Sequence, residues 1–436
     1  MTLPPNVRRI AVTRPPAVWG RDLQAAKLAW SVMEGLGLEL FELDIDLLLN
    51  GSAQEIGAHI SDLLAFRPQL AVATPNAGYL FNAVISSAKS RPNVFLDVLA
   101  IPCLLTWDSV VQFPSQLPHI NRSCCPDETS RGVLQSLKSA LDHPLLFHVA
   151  YDKGQIDAMV GLGILPAGRV LHKPVFAYQA FVDFGRAEAA SVRQDERVAF
   201  TGTLRVDALP SPYESLAFFP ELDRQVVSDR PLAQPVWNSL IEFIAGLPAQ
   251  ERETFGLGPD SGCFWGLADY IVSYRANILD RLRVIEGIAR PVTFYGNVVE
   301  KGVSAFRLPP NMTMGGDQDM ISRLPKLNAG TAITVDVVNR IFGCGYTAKI
   351  ASCLAAGGFC LFDWRPEFID AFGDDGGQLM FRSIDELNEK IDIFLGNSVY
   401  RRALADYFKN EIAQHHSAKS FYTSLLSQMA VNYKIT

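Results

Sequence analysis

Short, unbroken apolar runs alternate with stretches of helical spacing along almost the whole chain, and this alternation limits the possible folds more than any other feature. Arg9–Thr13, Leu38–Leu43 and Leu70–Ala73 read as strands, with helices over Asp22–Glu34 and Ala53–Ala65 between them. A further βα step leads to a strand from Ile101 that ends at Trp107 and Asp108, and Leu146–Ala150 and Val170–His172 continue the series. A second series opens with Val198–Thr201 and stops at Gly202. It crosses a mostly helical stretch over residues 211–290 and resumes with Val292–Tyr295, Ala332–Val337, Phe359–Asp363 and Leu379–Phe381. Three helical stretches, Ile384–Leu395, Val399–His416 and Lys419–Val431, close the chain. Strands that are apolar on both faces and alternate with helices make parallel sheets covered on both sides.

The expected fold class is therefore α/β, with two Rossmann-like, doubly wound parallel-sheet domains facing a cleft. The 436 residues suit two domains. We place them at 1–185 and 186–436, the second carrying a helical insertion over about 211–290. The formal charge of −7 gives no basic stripe for nucleic acid. No run of 18 apolar residues is present, so no transmembrane helix is expected, and the first residues lack the apolar core of a secretory signal. A cytoplasmic protein is the expectation. The seven cysteines, including the adjacent Cys124-Cys125, show no CxxC or Cys/His ligand spacing, which points to reduced thiols and no structural zinc.

In doubly wound sheets, ligands bind beyond the carboxyl ends of the strands. The most informative segment of this kind follows Ala332–Val337. It reads Gly343-Cys344-Gly345-Tyr346-Thr347-Ala348-Lys349, then a helix of small residues closed by Gly357-Gly358. Glycines permit close backbone approach, and free amides at a helix start suit an anionic group. Thr347 adds a hydroxyl and Lys349 a cation, so a diphosphate is a fitting ligand. A plain helix with a glycine-rich start and an αL cap fits the same spacing. Asp44-Ile45-Asp46 and Asp317-Gln318-Asp319 have an Asp-x-Asp spacing that can hold a metal. The second triplet sits at a predicted helix start, where carboxylates complement the dipole, and no metal site is assigned. No G-x-S-x-G and no G-x-G-x-x-G after the first strand is found, which disfavours a hydrolase or a dehydrogenase.

The run from Thr347 to Phe359, then Leu361-Phe362-Asp363-Trp364-Arg365-Pro366-Glu367 and Phe381–Leu387, resembles the GT-B glycosyltransferases, in particular the CgeB-like (spore-maturation) branch. Ile101–Asp108, Leu146–Leu165 with Val170–Pro174, and Phe200-Thr201-Gly202-Thr203-Leu204-Arg205 are similar to earlier segments of those enzymes, in the same order. In this chain Ser352 stands where the family places a Glu that grips the donor ribose, and Lys349 stands for an Arg. Lysine keeps the charge without the bidentate fork, and serine supplies no carboxylate.

The resemblance implies transfer of a sugar from a nucleotide sugar, UDP- or GDP-linked, to a hydroxyl of a glycan, a lipid-linked or a protein acceptor. It implies no metal and no further cofactor. Peripheral membrane contact stays open. Donor contacts are then expected at Gly202, Thr203, Arg205, Tyr295, Gly296, Gly345, Tyr346, Thr347, Lys349 and Ser352. Arg205 reads equally as a solvated surface residue. An inverting transfer needs a general base within reach of the acceptor hydroxyl. Asp108 is the first candidate and His148 the second, although Asp108 also fits a helix cap and His148 a packed strand residue. Two other functions remain compatible: a nucleotide-sugar epimerase on the same fold, and a non-catalytic binding protein derived from such an enzyme.

Overall fold

The computed structural model describes residues 7–15, 20–73, 93–107, 109, 114–117, 120, 123, 128–205, 211–299, 308–319 and 322–433. The chain divides into two compact units. The first comprises 1–121, 127–174 and 417–436, the second 122–126 and 175–416.

Unit 1 is a six-stranded sheet in the order β2-β1-β3-β4-β5-β6, every pair parallel. Its strands are β1 (Arg9–Arg14), β2 (Glu39–Asp44), β3 (Leu70–Ala73), β4 (Cys103–Trp107), β5 (Leu146–Ala150) and β6 (Val170–His172). The central strands β3, β4 and β5 are buried at every position, as their unbroken apolar runs require. Helices α1 (Gly20–Gly35), α2 (Ala53–Phe66), α3 (Glu128–Leu141) and α4 (Lys153–Gly161) join them. Side chains fix where the helices start. Ser52 and Glu55 form a reciprocal capping box on α2, and Asp152 accepts from the Gln155 amide at the head of α4.

Unit 2 opens with α5 (Gln179–Ala187) and holds a second all-parallel sheet in the order β12-β11-β10-β7-β8-β9. Its strands are β7 (Val198–Arg205), β8 (Val292–Val299), β9 (Met312–Gly316), β10 (Ile333–Asp336), β11 (Cys360–Asp363) and β12 (Met380–Phe381). Three strands run outward in one direction from β7 and three in the other from β10, which is the strand order of the dinucleotide-binding fold.

Between β7 and β8 lie α6 (Val236–Gly246), α7 (Gly262–Asp269) and α8 (Ala276–Gly287). A π-helical turn, Tyr270–Arg275, joins α7 to α8. The helices α9 (Ala348–Ala355), α10 (Pro366–Gln378), α11 (Ile384–Gly396) and α12 (Ser398–His415) follow the later strands, and α13 (Ala418–Tyr433) returns to unit 1.

Two features differ from the sequence reading. The division falls after Pro174, and the closing helix counts with the first unit, because α13 packs on α1. Strand β9 was not expected: Met312-Thr313-Met314-Gly315-Gly316 is a largely exposed edge strand and carries no apolar run.

Candidate functional site

In unit 2 the strand order reverses between β7 and β10, and there the sheet opens at its carboxyl end. Strand β7 outruns its neighbour. It pairs with β10 only over Val198–Phe200 but stays paired with β8 through Arg205. The Arg197 carbonyl accepts from the Ile333 amide, so carbonyls at alternate positions along β7 face β10. Beyond Phe200 those carbonyls, on Thr201 and Thr203, have no strand to receive them.

Two cationic side chains take their place. Lys349 Nζ donates to the Thr201 carbonyl at 2.8 Å, and Arg281 Nη1 donates to the Thr203 carbonyl at 2.7 Å. Successive same-side carbonyls lie about 6.6 Å apart, so the two cations flank one short length of strand. Lys349 comes from α9 and Arg281 from α8. Right-handed crossovers in opposite directions put those helices on opposite faces of the sheet.

Glycine makes the approach possible. Gly202 and Gly296 are register partners on β7 and β8, with φ of +146° and +142°. A Cβ on Gly296 would lie 1.7 Å from the Gly202 carbonyl oxygen, and one on Gly202 would lie 3.4 Å from Lys349 Nζ. The two strands therefore kink together at a place only glycine allows.

Lys349 is also anchored from below. Its Nζ lies 2.5 Å from Asp336 Oδ1 at the end of β10 and 6.0 Å from the centre of the Phe200 ring. Asp336 is buried and its other oxygen has no partner. Thr347 stands at the N-cap of α9 with extended backbone, yet its side chain makes no capping bond and its hydroxyl is unpartnered. An uncapped helix start, a cation with one N–H left over and the unpartnered Thr347 hydroxyl together form a polar site able to hold an anionic group.

A buried charge network holds the loop that leads into α9. Asp363, at the end of β11, receives the Val338 amide at 2.7 Å and the Arg340 guanidinium at 2.5 Å, and it pairs with Arg365. Arg365 reaches on to the Phe342 carbonyl at 2.8 Å. Arg340 also contacts Asp280 of α8 at 2.6 Å, and Asp280 pairs with Arg230. Burial alone would raise the Asp363 pKa, but the charges of Arg340 and Arg365 and the Val338 N–H outweigh it and hold the carboxyl below its ordinary range. Burial pushes the Arg230 pKa down to about 10 despite Asp280. The network ties both ends of the 337–343 loop to α8, α10 and β11.

The structure distributes the expected site residues unevenly. Gly202, Thr203, Gly296, Thr347 and Lys349 gather at the carboxyl end of β7. Gly345 is buried in the loop before them. Tyr346 departs from its expected role: its ring packs edge-on against Phe368, 5.0 Å between centroids, and burial raises its pKa. It anchors the loop to α10. Tyr295 departs likewise, because its hydroxyl is taken by Arg197 at the amino end of β7, away from the strand tips. The Ser352 hydroxyl accepts from the Tyr178 amide at 3.1 Å and is spent on the start of α5. Arg205 ends β7, but its side chain lies outside the described residues, as does Asp108.

His148 has both ring nitrogens engaged. Trp107 Nε1 donates to its Nδ1 at 3.1 Å, and its Nε2 meets the Leu141 carbonyl at 2.9 Å. Burial lowers its pKa to about 4. No lone pair is left for a substrate proton, and the ring serves the core. Strand β7 runs past Gly202 rather than ending there. Arg281 was missed altogether, since its partner Thr203 lies 78 positions away in the chain and no local pattern marks it.

The two Asp-x-Asp triplets serve local structure. Asp44 caps a short helix and Asp319 accepts from Ser322. Among the described residues no group of three His, Cys, Asp or Glu is placed to hold a metal, and no helix is long and apolar enough to cross a membrane.

A family described as glycosyl transferase-like matches residues 275–427, from the last residue of the π-helical turn into α13. A glycosyltransferase from Rickettsia africae ESF-5 superimposes with a TM-score of 0.52 at 8% identity, covering 98% of each chain. The chain has the GT-B fold. A DNA-modifying β-glucosyltransferase superimposes at a TM-score of 0.48 and 10% identity, covering 96% of this chain and 98% of its own. Anabaena HepE, crystallised with UDP and glucose, does so at 0.45 and 8%, covering 97% and 100%. No curated protein matches the sequence.

Proposed function

We propose that this GT-B protein is a metal-independent glycosyltransferase that takes a sugar from a nucleoside diphosphate sugar, UDP- or GDP-linked, and passes it to an acceptor hydroxyl. The observation that carries the reading is the pair of cations, Lys349 and Arg281, seated on the same-side carbonyls of Thr201 and Thr203 in β7, near the uncapped start of α9. Departure of a nucleoside diphosphate needs charge stabilised on its outer oxygens. Preorganised N–H donors at a strand end and a helix start supply that stabilisation without a metal.

Unit 2 is the donor side in this reading and unit 1 the acceptor side, with Asp108 the candidate base. The motif from Thr347 to Phe359 supports placement in the CgeB-like branch. The donor ribose is held without the usual carboxylate, because residue 352 is a serine, whose hydroxyl already accepts from the Tyr178 amide. The test is a thermal-shift and calorimetric panel of UDP, GDP and dTDP with their hexose conjugates. Specific binding raises the melting temperature by mass action. Arg281→Met should abolish most of that shift, read against the variant's own unliganded melting temperature, which falls because the Thr203 carbonyl loses its donor. Absence of binding by every nucleotide at millimolar concentration refutes the reading and favours a non-catalytic protein.

A further inference from the structure

The sheet-facing side of α8 changes character where it passes the end of β7. Near the amino end of the sheet it is apolar, with Val284 and Ile288 fully buried. Helix α8 leads into the amino end of β8, so its own N-terminal end lies at the carboxyl end of the sheet. Arg281 marks the level of Thr203. One turn before it, about 6 Å further toward the carboxyl end of the sheet and level with the end of β7, is Asn277, and one turn earlier is Ser273, within the π-helical turn.

Both are more than nine-tenths buried, Asn277 at 8% and Ser273 at 9% exposure. Neither Asn277 Oδ1 nor Ser273 Oγ has a hydrogen-bond partner. Buried polar atoms are almost always satisfied, and two unsatisfied ones on one helix face beside a ligand site call for an occupant. Its chemistry follows from theirs. An amide oxygen only accepts and a hydroxyl both donates and accepts, so the occupant offers O–H or N–H donors together with acceptors, as the hydroxyl groups of a sugar do.

We propose that Asn277 and Ser273 recognise hydroxyl groups of the transferred sugar, making α8 the element that sets sugar specificity. This rests on the donor reading given above. The test measures affinities of the intact protein for UDP, UDP-glucose, GDP and GDP-mannose by calorimetry, in wild type, Asn277→Leu and Ser273→Ala. For whichever nucleotide binds, the variants should hold the free diphosphate within about twofold and lose about tenfold for the sugar conjugate. Their melting temperatures should not fall, since each change removes an unsatisfied buried group.

A parallel loss for the free diphosphate would assign the two residues to the nucleoside and overturn the proposal. So would an unchanged conjugate affinity, or a lowered melting temperature marking them as structural. Wild-type protein that binds no nucleotide overturns the donor reading itself, and this proposal with it. Wild-type binding of both ligand types with unaltered variants overturns this proposal alone.

Discussion

Replacing Lys349 by methionine separates what its ammonium does for the fold from what it does for a ligand. The Nζ lies 2.5 Å from Asp336 Oδ1 and 2.8 Å from the Thr201 carbonyl. Removing one partner of a buried ion pair costs about 3–5 kcal/mol, because the other charge is stranded. The Asp336 side chain is 1% exposed, but that of Lys349 is 30% exposed, so water screens one side of the pair. We therefore expect about 2–3 kcal/mol of destabilisation. Adding Asp336→Leu removes the stranded carboxylate and should return stability to within about 1 kcal/mol of wild type. Nucleoside diphosphate binding behaves differently. It should be weaker by about 1.5–3 kcal/mol, roughly 10- to 150-fold, in the single and the double variant alike. Urea midpoints for the transition of unit 2 and calorimetric affinities for UDP and GDP give the two readouts. A double variant that regains stability and binds diphosphate as wild type removes Lys349 from the site. A single variant as stable as wild type refutes the buried-pair argument.

Gly296→Ala places a Cβ 1.7 Å from the Gly202 carbonyl at a φ of +142° and should cost at least about 3 kcal/mol; unaltered denaturation would show that the strands do not kink together. Asp363→Asn leaves Arg340 and Arg365 without their shared carboxylate, an expected loss of about 3–5 kcal/mol at neutral pH. The folded-state pKa of Asp363 is lowered, so its stabilisation is complete above the unfolded value of about 3.9 and fades as the pH falls through the folded value. The variant should accordingly show a shallower acid limb, read from melting temperature against pH. His148 titrates near pH 4 when folded against about 6.5 when unfolded, because burial disfavours its charged form. Its neutral ring therefore supports the fold above pH 6.5, and that support is lost as the pH falls toward 4. His148→Phe should flatten stability across this window, and a ring titrating at its ordinary value by NMR would contradict the burial argument.

What could be read in the sequence was what a single segment decides. Leu70–Ala73 and Leu146–Ala150 are strands over the residues their apolar runs mark, because a strand buried on both faces shows its limits in composition alone. The switch-point loop and its cation, Lys349, were also legible, since glycines before a helix and a basic residue in its first turn are local signals. What stayed hidden depends on pairs. Whether β7 stops at Gly202 is settled by Gly296, 94 positions on, which kinks with it and keeps the ladder intact. The partners of Ser352, Tyr295 and Tyr346 belong to other elements, and each diverts a side chain that a motif alone would assign to the ligand.

The pairing of Lys349 with Asp336 looks at first like an argument against anion binding, because a neighbouring carboxylate cancels much of the ammonium charge. The balance turns on preorganisation. A free lysine side chain loses up to about 2 kcal/mol of rotamer entropy when a ligand fixes it, whereas one already held by Thr201 and Asp336 has met that cost on folding. An ammonium has three N–H donors, and two are used, so one remains in a fixed direction. Arg281, held on the Thr203 carbonyl, adds a second cation at the same strand end. A site of this kind gives up raw attraction for fixed geometry, which is what stabilising a charge that develops during reaction requires. It also explains why both cations sit on β7, where the kink at Gly202 and Gly296 keeps side chains of the strands themselves out of the space.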